Sequence, residues 1–154
     1  MKWLTRVGAC QRGQTLIEFA FIAPFIFIFL FTIVDFGIAL DRRITLQHAV
    51  REGARAAGVQ VDPAAGLKVA ADQAQDLPAD FVVCYVDEDD NGHANFKDRV
   101  RVSAAFTYHF TIPFGKLMGA IGIPVGGGIE MTPDATSALE NDPPSGVTFT
   151  ECPP

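Results

Sequence analysis

The sequence predicts an α+β protein with a long N-terminal transmembrane helix that extends out of the membrane, a short second helix and a small antiparallel sheet of about three strands. Three observations predict this. The chain has an apolar run from Phe19 to Leu40 with a single charged residue, an alanine-rich stretch at 64–75, and regular alternation of apolar and polar residues at 98–110. A chain of 154 residues has room for one membrane segment and one small soluble domain.

Residues 1–13 form a short basic leader, with Lys2, Arg6 and Arg12 ahead of Gly13. Glu18 follows five residues after Gly13, at the entrance to the apolar run. A carboxylate in a membrane segment is costly, so it usually has a function. This arrangement resembles a prepilin-type (class III) signal peptide. The resemblance predicts cleavage between Gly13 and Gln14, which would place Glu18 at the fifth position of the mature chain.

Residues 14–40 are predicted to be a transmembrane helix. From Phe19 to Leu40 the only charged residue is Asp35, and about 22 helical residues at ~1.5 Å each cross the hydrocarbon core. Pro24 is expected to kink this helix because it removes one backbone donor. The basic leader favours a cytoplasmic N-terminus and an extracytoplasmic remainder. A plain single-pass anchor is the alternative interpretation of the same segment.

Residues 41–60 are predicted to continue the helix outside the membrane, to about Ala57. Leu46, Val50, Gly53 and Ala57 recur at spacings of four, three and four, which places them on one helical face. Small residues on such a face allow another element to approach closely.

Residues 61–140 are predicted to be a small α+β domain. Asp62 and Pro63 suit a helix N-cap and first turn, so a short helix is expected at 64–75. Strands are expected at 80–86, at 98–110 and within 126–139, where Pro133 favours an edge or a bulge. The intervening stretch, 112–125, is interpreted as an apolar loop. Residues 141–154 contain four prolines and are expected to be a loosely ordered tail unless Cys152 fastens them.

The charge and the cysteines restrict the function. The net charge is −6, and it becomes −9 after the leader, which holds three of the twelve basic residues; nucleic-acid binding is therefore not expected. Removing the leader also removes Cys10 and leaves Cys84 and Cys152. An even pair outside the cytoplasm favours a disulfide; a buried free thiol at Cys84 is the alternative.

An acidic segment follows the first predicted strand. Asp87, Asp89, Asn91 and Asp98 stand at positions 1, 3, 5 and 12 of a calcium-loop spacing, with Gly92 at position 6 and a backbone carbonyl available at His93. Against calcium, the flanking segments are strands and position 12 is aspartate in place of the usual glutamate. A solvated acidic turn is therefore the alternative interpretation.

Five segments in order resemble the TadE family of pilin-like proteins. They are Arg12-Gly13, the Ile17-Glu18-Phe19-Ala20 segment, Ala23-Pro24-Phe25, Val34-Asp35-Phe36-Gly37 and the helical stretch from Gln47 to Arg55 that contains Arg51 and Glu52. The resemblance covers residues 12 to about 57. It identifies Asp35, Phe36, Gly37, Arg51, Glu52 and Arg55 as family-motif residues.

The resemblance implies a minor pilin or pseudopilin of the tight-adherence (Flp) pilus machinery, cut by a prepilin peptidase. In that family Glu18 would be the carboxylate that pairs with an N-terminal amine during assembly, with Phe19 beside it. The implied partners are the membrane, other pilin-like subunits and the Tad assembly platform. The implied location is the bacterial inner membrane with a periplasmic domain, or the pilus itself.

A second class of function is an unprocessed single-pass anchor that displays a small extracytoplasmic binding domain. Gly13 together with Glu18 favours the pilin-like class, because a simple anchor needs neither residue. No local motif for a catalytic triad, a phosphate loop or a Cys-x-x-Cys pair is present in the sequence. We therefore expect no enzymatic activity and no cofactor other than the candidate calcium ion.

Overall fold

The computed structural model describes residues 11–75, 77–110, 122 and 128–153, and the side chains of residues 11–14 are outside this description. Residues 1–10 of the predicted leader and most of the predicted apolar loop at 112–125 lie outside the described residues. The described chain has the predicted α+β architecture: a long apolar N-terminal helix, a short second helix and a small antiparallel sheet.

Helix α1 comprises Gln11–Gln60, and its 50 residues run through Pro24 without interruption. At ~1.5 Å per residue its length is about 75 Å. No side chain between Thr15 and Val34 is buried. The first buried side chain is Asp35, and from there one face of the helix packs against the rest of the protein. This packing begins inside the segment predicted to span the membrane, before the predicted boundary at Leu40.

Helix α2 comprises Pro63–Ala74, in agreement with the sequence pattern. The side chain of Asp62 caps it by accepting a hydrogen bond of 2.9 Å from the Ala64 backbone N–H. Its buried residues are Gly66, Ala70 and Ala74, which recur every four residues and therefore share one face.

The two helices meet almost backbone to backbone. A Cβ atom added at Gly53 would lie 2.8 Å from the Cβ of Ala70, and one added at Gly66 would lie 2.7 Å from the Cβ of Ala57. Neither position has room for a methyl group. The small-residue face that the sequence predicts on α1 is therefore the surface on which α2 packs.

Four strands form the sheet within the described residues: β1 (Asp80–Val86), β2 (Arg99–Tyr108), β3 (Ile129–Met131) and β4 (Asp134–Ala138). All pairings are antiparallel, with β2 in the centre, β1 on one side, and β3 and β4 on the other. The sequence predicts about three strands. The number is four because the last predicted strand is divided at Pro133, which lacks a backbone donor and whose carbonyl accepts from the Ala104 N–H at 2.9 Å.

The central strand runs alongside the upper half of α1. At one end of β2, Arg99 pairs with Val86 of β1 and Ala138 of β4. This end lies close to Gly58 of α1, whose carbonyl accepts a hydrogen bond of 3.2 Å from the Glu140 N–H. At the other end, Tyr108 reaches Asp35. The core lies between α1 and this sheet, and its largest fully buried apolar side chains are Leu46, Val50, Val100 and Val102.

Replacing Gly53 with alanine should destabilise the domain by roughly 1–3 kcal/mol, because the added methyl group has no space against α2. The gain of alanine over glycine in helix propensity, about 1 kcal/mol, offsets part of that loss. The measurement is chemical unfolding of the full chain in detergent. Gly37→Ala is the matched control, since nothing lies within 4 Å of a Cβ there; equal stabilities for the two variants would contradict the close packing.

Candidate functional site

The lower part of α1 is apolar on every side. From Leu16 to Val34 its large apolar side chains are exposed, among them Phe19 at 65% of its accessible surface. The Thr32 hydroxyl donates to the Ile28 carbonyl at 2.7 Å, so this polar group is satisfied within the helix. Within the described ranges, one helix is long and apolar enough to cross a membrane. Water is an unfavourable environment for a surface of this kind.

Glu18 is exposed near the start of this apolar surface. It stands five residues from Gly13, which is about 7.5 Å along the helix axis. Positions 14 and 18 are four apart, so they lie on the same face of α1, one turn from each other. Gly13 and Gln14 are part of the helix, although their side chains are outside the description.

The lone carboxylate inside the apolar run is covered by the sheet. Asp35 is 3% exposed, and its carboxylate accepts a hydrogen bond of 2.6 Å from the Tyr108 hydroxyl. Tyr108 is itself buried, and the Phe110 ring packs against its edge with centroids 5.6 Å apart. Burying an unsatisfied carboxylate would be strongly unfavourable. The contact therefore joins the end of β2 to α1 at Asp35, the first buried residue of the helix.

The neighbouring motif residues have different surroundings. Phe36 is about half exposed, and Gly37 has open space beside it. Further along α1, Arg51 and Arg55 are exposed, and the Arg55 guanidinium forms an ion pair of 2.9 Å with Glu52. An exposed pair of this kind contributes little to stability. These residues form a charged, solvent-facing surface on α1 and are not brought to Glu18 or Asp35.

The acidic loop between β1 and β2 is organised by two of its carboxylates. Asp87 accepts backbone hydrogen bonds from Asp89, Asn91 and Gly92, the last at 2.6 Å. The fully buried Asp98 accepts from the backbone N–H groups of Glu88 and Asn95 at 3.0 and 2.9 Å. Both aspartates therefore hold the loop in shape. Asn91 has a similar role, since its carboxamide oxygen accepts from the His93 N–H at 2.7 Å.

The backbone hydrogen bonds from Gly92, Asn91 and Asp89 lower the pKa of the Asp87 carboxyl, with the Gly92 contact the largest cause. A carboxyl whose pKa is lowered in the folded state stabilises that state fully at pH values above its ordinary pKa of about 3.9. This stabilisation is lost as the pH falls through the lowered pKa. Burial raises the pKa of the Tyr85 phenol, and the negative charges of Glu151, Asp87 and Asp98 raise it further. The loop is thus a site of negative potential.

Three carboxylates of the loop are close enough to share one cation. Asp87, Asp89 and Asp98 each offer an oxygen, and these oxygens lie within 4.8 Å of one another. Calcium binds oxygen at about 2.3–2.6 Å, so two ligand oxygens on opposite sides of one ion are about 4.6–5.2 Å apart. One cationic side chain competes with such an ion, since Lys97 lies 3.7 Å from Asp89. Arg99 pairs at 3.0 Å with Glu88, which is outside the cluster. Calcium binding therefore stays a prediction.

The structure joins Cys84 and Cys152 in a disulfide, with Cα atoms 4.9 Å apart. The tail lies along the free edge of β1: the Tyr85 N–H donates to the Thr150 carbonyl at 2.9 Å, and the Cys152 N–H donates to the Tyr85 carbonyl at 2.8 Å. The bridge closes a loop with a sequence separation of 68 residues, which should stabilise the fold by roughly 2–4 kcal/mol.

Sequence reasoning placed Asp35 in a motif but missed its partner. Tyr108 lies 73 positions away along the chain. Two signals were available: one charge in an otherwise apolar run, and one tyrosine hydroxyl on the apolar face of the most regular strand. Both groups require a polar partner when buried, and each satisfies the other.

Replacing Tyr108 with phenylalanine should destabilise the domain by about 1–3 kcal/mol, because it removes a donor from a buried carboxylate. The measurement is thermal or chemical unfolding of the full chain in detergent. In an Asp35→Asn background, Tyr108→Phe should reduce the stability by less, because a neutral amide loses less than a carboxylate when this donor is removed. Equal costs in the two backgrounds would show that the hydrogen bond contributes nothing beyond packing.

Millimolar calcium should raise the melting temperature if the loop binds the ion, by mass action. Asp89→Asn should remove this response, because it takes one carboxylate from the cluster and none of the backbone hydrogen bonds that Asp87 and Asp98 accept. Asp90→Asn is the matched control, as this neighbouring carboxylate is outside the cluster. An unchanged wild-type melting temperature would leave the loop as an acidic turn.

Comparison with known proteins gives one family. Residues 13–55 match the family model described as TadE-like protein, so the resemblance to the TadE-like family is confirmed over that segment. No curated protein and no solved structure matched the chain. The matched segment includes Glu18, Asp35 and Arg51 and covers the apolar part of α1. The segment that matches the TadE-like model is thus also the part of α1 that is long and apolar enough to cross a membrane.

Proposed function

We propose that the protein is a minor pilin or pseudopilin: a structural subunit of the tight-adherence (Flp) pilus machinery that supports pilus assembly and adherence. A prepilin peptidase removes the leader after Gly13, and Gln14 becomes the N-terminus. The role is one of assembly through helices, without catalysis. The partners are the membrane, other pilin-like subunits and the assembly platform.

The observation that carries this proposal is the shape of α1. The helix runs unbroken from Gln11 to Gln60, and no side chain from Thr15 to Val34 is buried. Among the described residues, those of the domain pack on one side of the helix, from Asp35 upward. The lower helix is therefore available on all sides, either to lipid or to the apolar helices of neighbouring subunits.

Glu18 gives this surface a chemical means of subunit selection. Cleavage after Gly13 would create an ammonium at position 14, one helical turn from Glu18. Each of these charges is unfavourable in an apolar environment without a partner of opposite sign. In the assembly, pairing of the carboxylate of one chain with the amine of a neighbouring subunit would favour correct assembly over random helix contact.

The orientation follows from the charges at the two ends of the apolar run. The basic leader stays in the cytoplasm, and the domain with its disulfide lies in the periplasm, an oxidising compartment. The protein acts in the inner membrane or after incorporation into the pilus.

The test is made in the native host with Glu18→Ala. Mass spectrometry of wild-type protein should show loss of the first thirteen residues, and the variant should be cleaved and inserted normally. Co-purification with other pilin-like subunits and surface adherence should be lost, because insertion depends on the apolar run whereas assembly depends on the carboxylate.

Asp41→Ala is the matched control, since it removes an exposed carboxylate from the same helix above the apolar run. It should leave assembly intact. An intact Met1 terminus in cells that contain the peptidase would favour the alternative, an unprocessed anchor that displays a small binding domain. Normal assembly of the Glu18→Ala variant would remove the role assigned to that carboxylate.

A further inference from the structure

A cavity of about 260 Å³ lies between α1 and the segment that includes β3 and the turn after it. On the helix side it is lined by a stripe with spacings of four, three and four residues. The side chains that matter for its chemistry are Phe36, Leu40, Arg43, Gln47, Glu130 and Thr132. Its lining combines apolar side chains such as Phe36 and Leu40 with the polar and charged side chains of Arg43, Gln47 and Glu130.

The cavity lies where the apolar surface of α1 gives way to charged residues. Phe36 and Leu40 are about half exposed and continue the apolar surface of the lower helix, whereas Arg43 is the first charged residue on this stripe. Arg43 stands three residues beyond Leu40, or about 4.5 Å along the axis. The headgroup layer begins where the apolar surface ends, and a long arginine side chain reaches into it readily.

The cavity contains one positive and one negative side chain. Within the part of the chain that the structure describes, neither Arg43 nor Glu130 has an ion-pair partner, and they form no ion pair with each other. Both side chains are exposed and line the cavity, so a ligand that carries a negative and a positive charge of its own would complement them. It must also have an apolar part to lie against Phe36 and Leu40.

We propose that this cavity binds the headgroup of a zwitterionic phospholipid with a primary ammonium group, of the phosphatidylethanolamine type. The phosphate accepts hydrogen bonds from the Arg43 guanidinium, with the Gln47 amide beside it. The ammonium donates to the Glu130 carboxylate. The acyl chains run down the apolar stripe of α1. The inference rests on the membrane association of α1 and does not depend on pilus assembly.

The charge pair makes the site selective among lipids. Phosphatidylglycerol carries a phosphate but no ammonium, so it would bring a net negative charge next to Glu130. Phosphatidylcholine has a quaternary ammonium that cannot donate a hydrogen bond. Both should bind less tightly than phosphatidylethanolamine, and the difference should depend on Glu130.

The test is native mass spectrometry of the full chain in detergent, titrated separately with dioleoyl phosphatidylethanolamine, phosphatidylglycerol and phosphatidylcholine. Wild-type protein should retain the ethanolamine lipid at the lowest concentration. Arg43→Ala should weaken its binding by about tenfold, the loss expected for one charge-assisted contact. Glu130→Gln should remove the preference for the ethanolamine lipid over the glycerol lipid.

Arg51→Ala is the matched control. It removes an exposed arginine of the same helix, eight positions beyond Arg43 and outside the cavity. Its lipid binding should equal that of the wild type. Equal retention of all three lipids, equal effects of Arg43→Ala and Arg51→Ala, or no retained lipid would each overturn the proposal. The Glu18→Ala phenotype is independent of every one of these outcomes.

Discussion

The structure depends on a change in what surrounds α1 along its length. Up to Val34 the helix must be apolar in every direction, whereas from Asp35 it must offer one face to a protein core. The two requirements favour side chains of different size. Large residues suit contact with lipid, while alanine and glycine at positions such as Ala49 and Gly53 bring the backbone close to other elements. A single helix can thus lie in an apolar environment up to Val34 and pack against a protein core from Asp35, because the size of its side chains changes at that point.

Much of this organisation could be predicted from local pattern. The apolar run, the small-residue face and the proline-led second helix are each periodic over one element, and β1 lies where its β-branched and aromatic residues predict it. The leader, Glu18 and the family motif are likewise local signals. The number of strands was harder to predict because it depends on a single residue, Pro133, which divides one continuous alternating pattern into β3 and β4.

The features that sequence reasoning did not find are non-local. The Asp35–Tyr108 hydrogen bond joins the helix to the end of a strand, and the cavity beside Arg43 requires that β3 lie next to α1. Register and packing fix these contacts, and neither is encoded in a short window of sequence. The roles of Asp87 and Asp98 show a related difficulty. The spacing that resembles a cation loop is also the spacing that lets two carboxylates collect backbone N–H groups in a tight turn.

The unbroken course of α1 has a mechanical consequence. Since no loop separates the buried part of the helix from the exposed part, the domain cannot swivel independently of the segment below it. About 24 residues extend from Asp35 to Gly58, a lever arm of roughly 35 Å. A helix tilts when its apolar length differs from the thickness of the surrounding bilayer. A tilt of about 20° would therefore displace the outer end of the domain sideways by roughly 12 Å relative to the start of the lever arm.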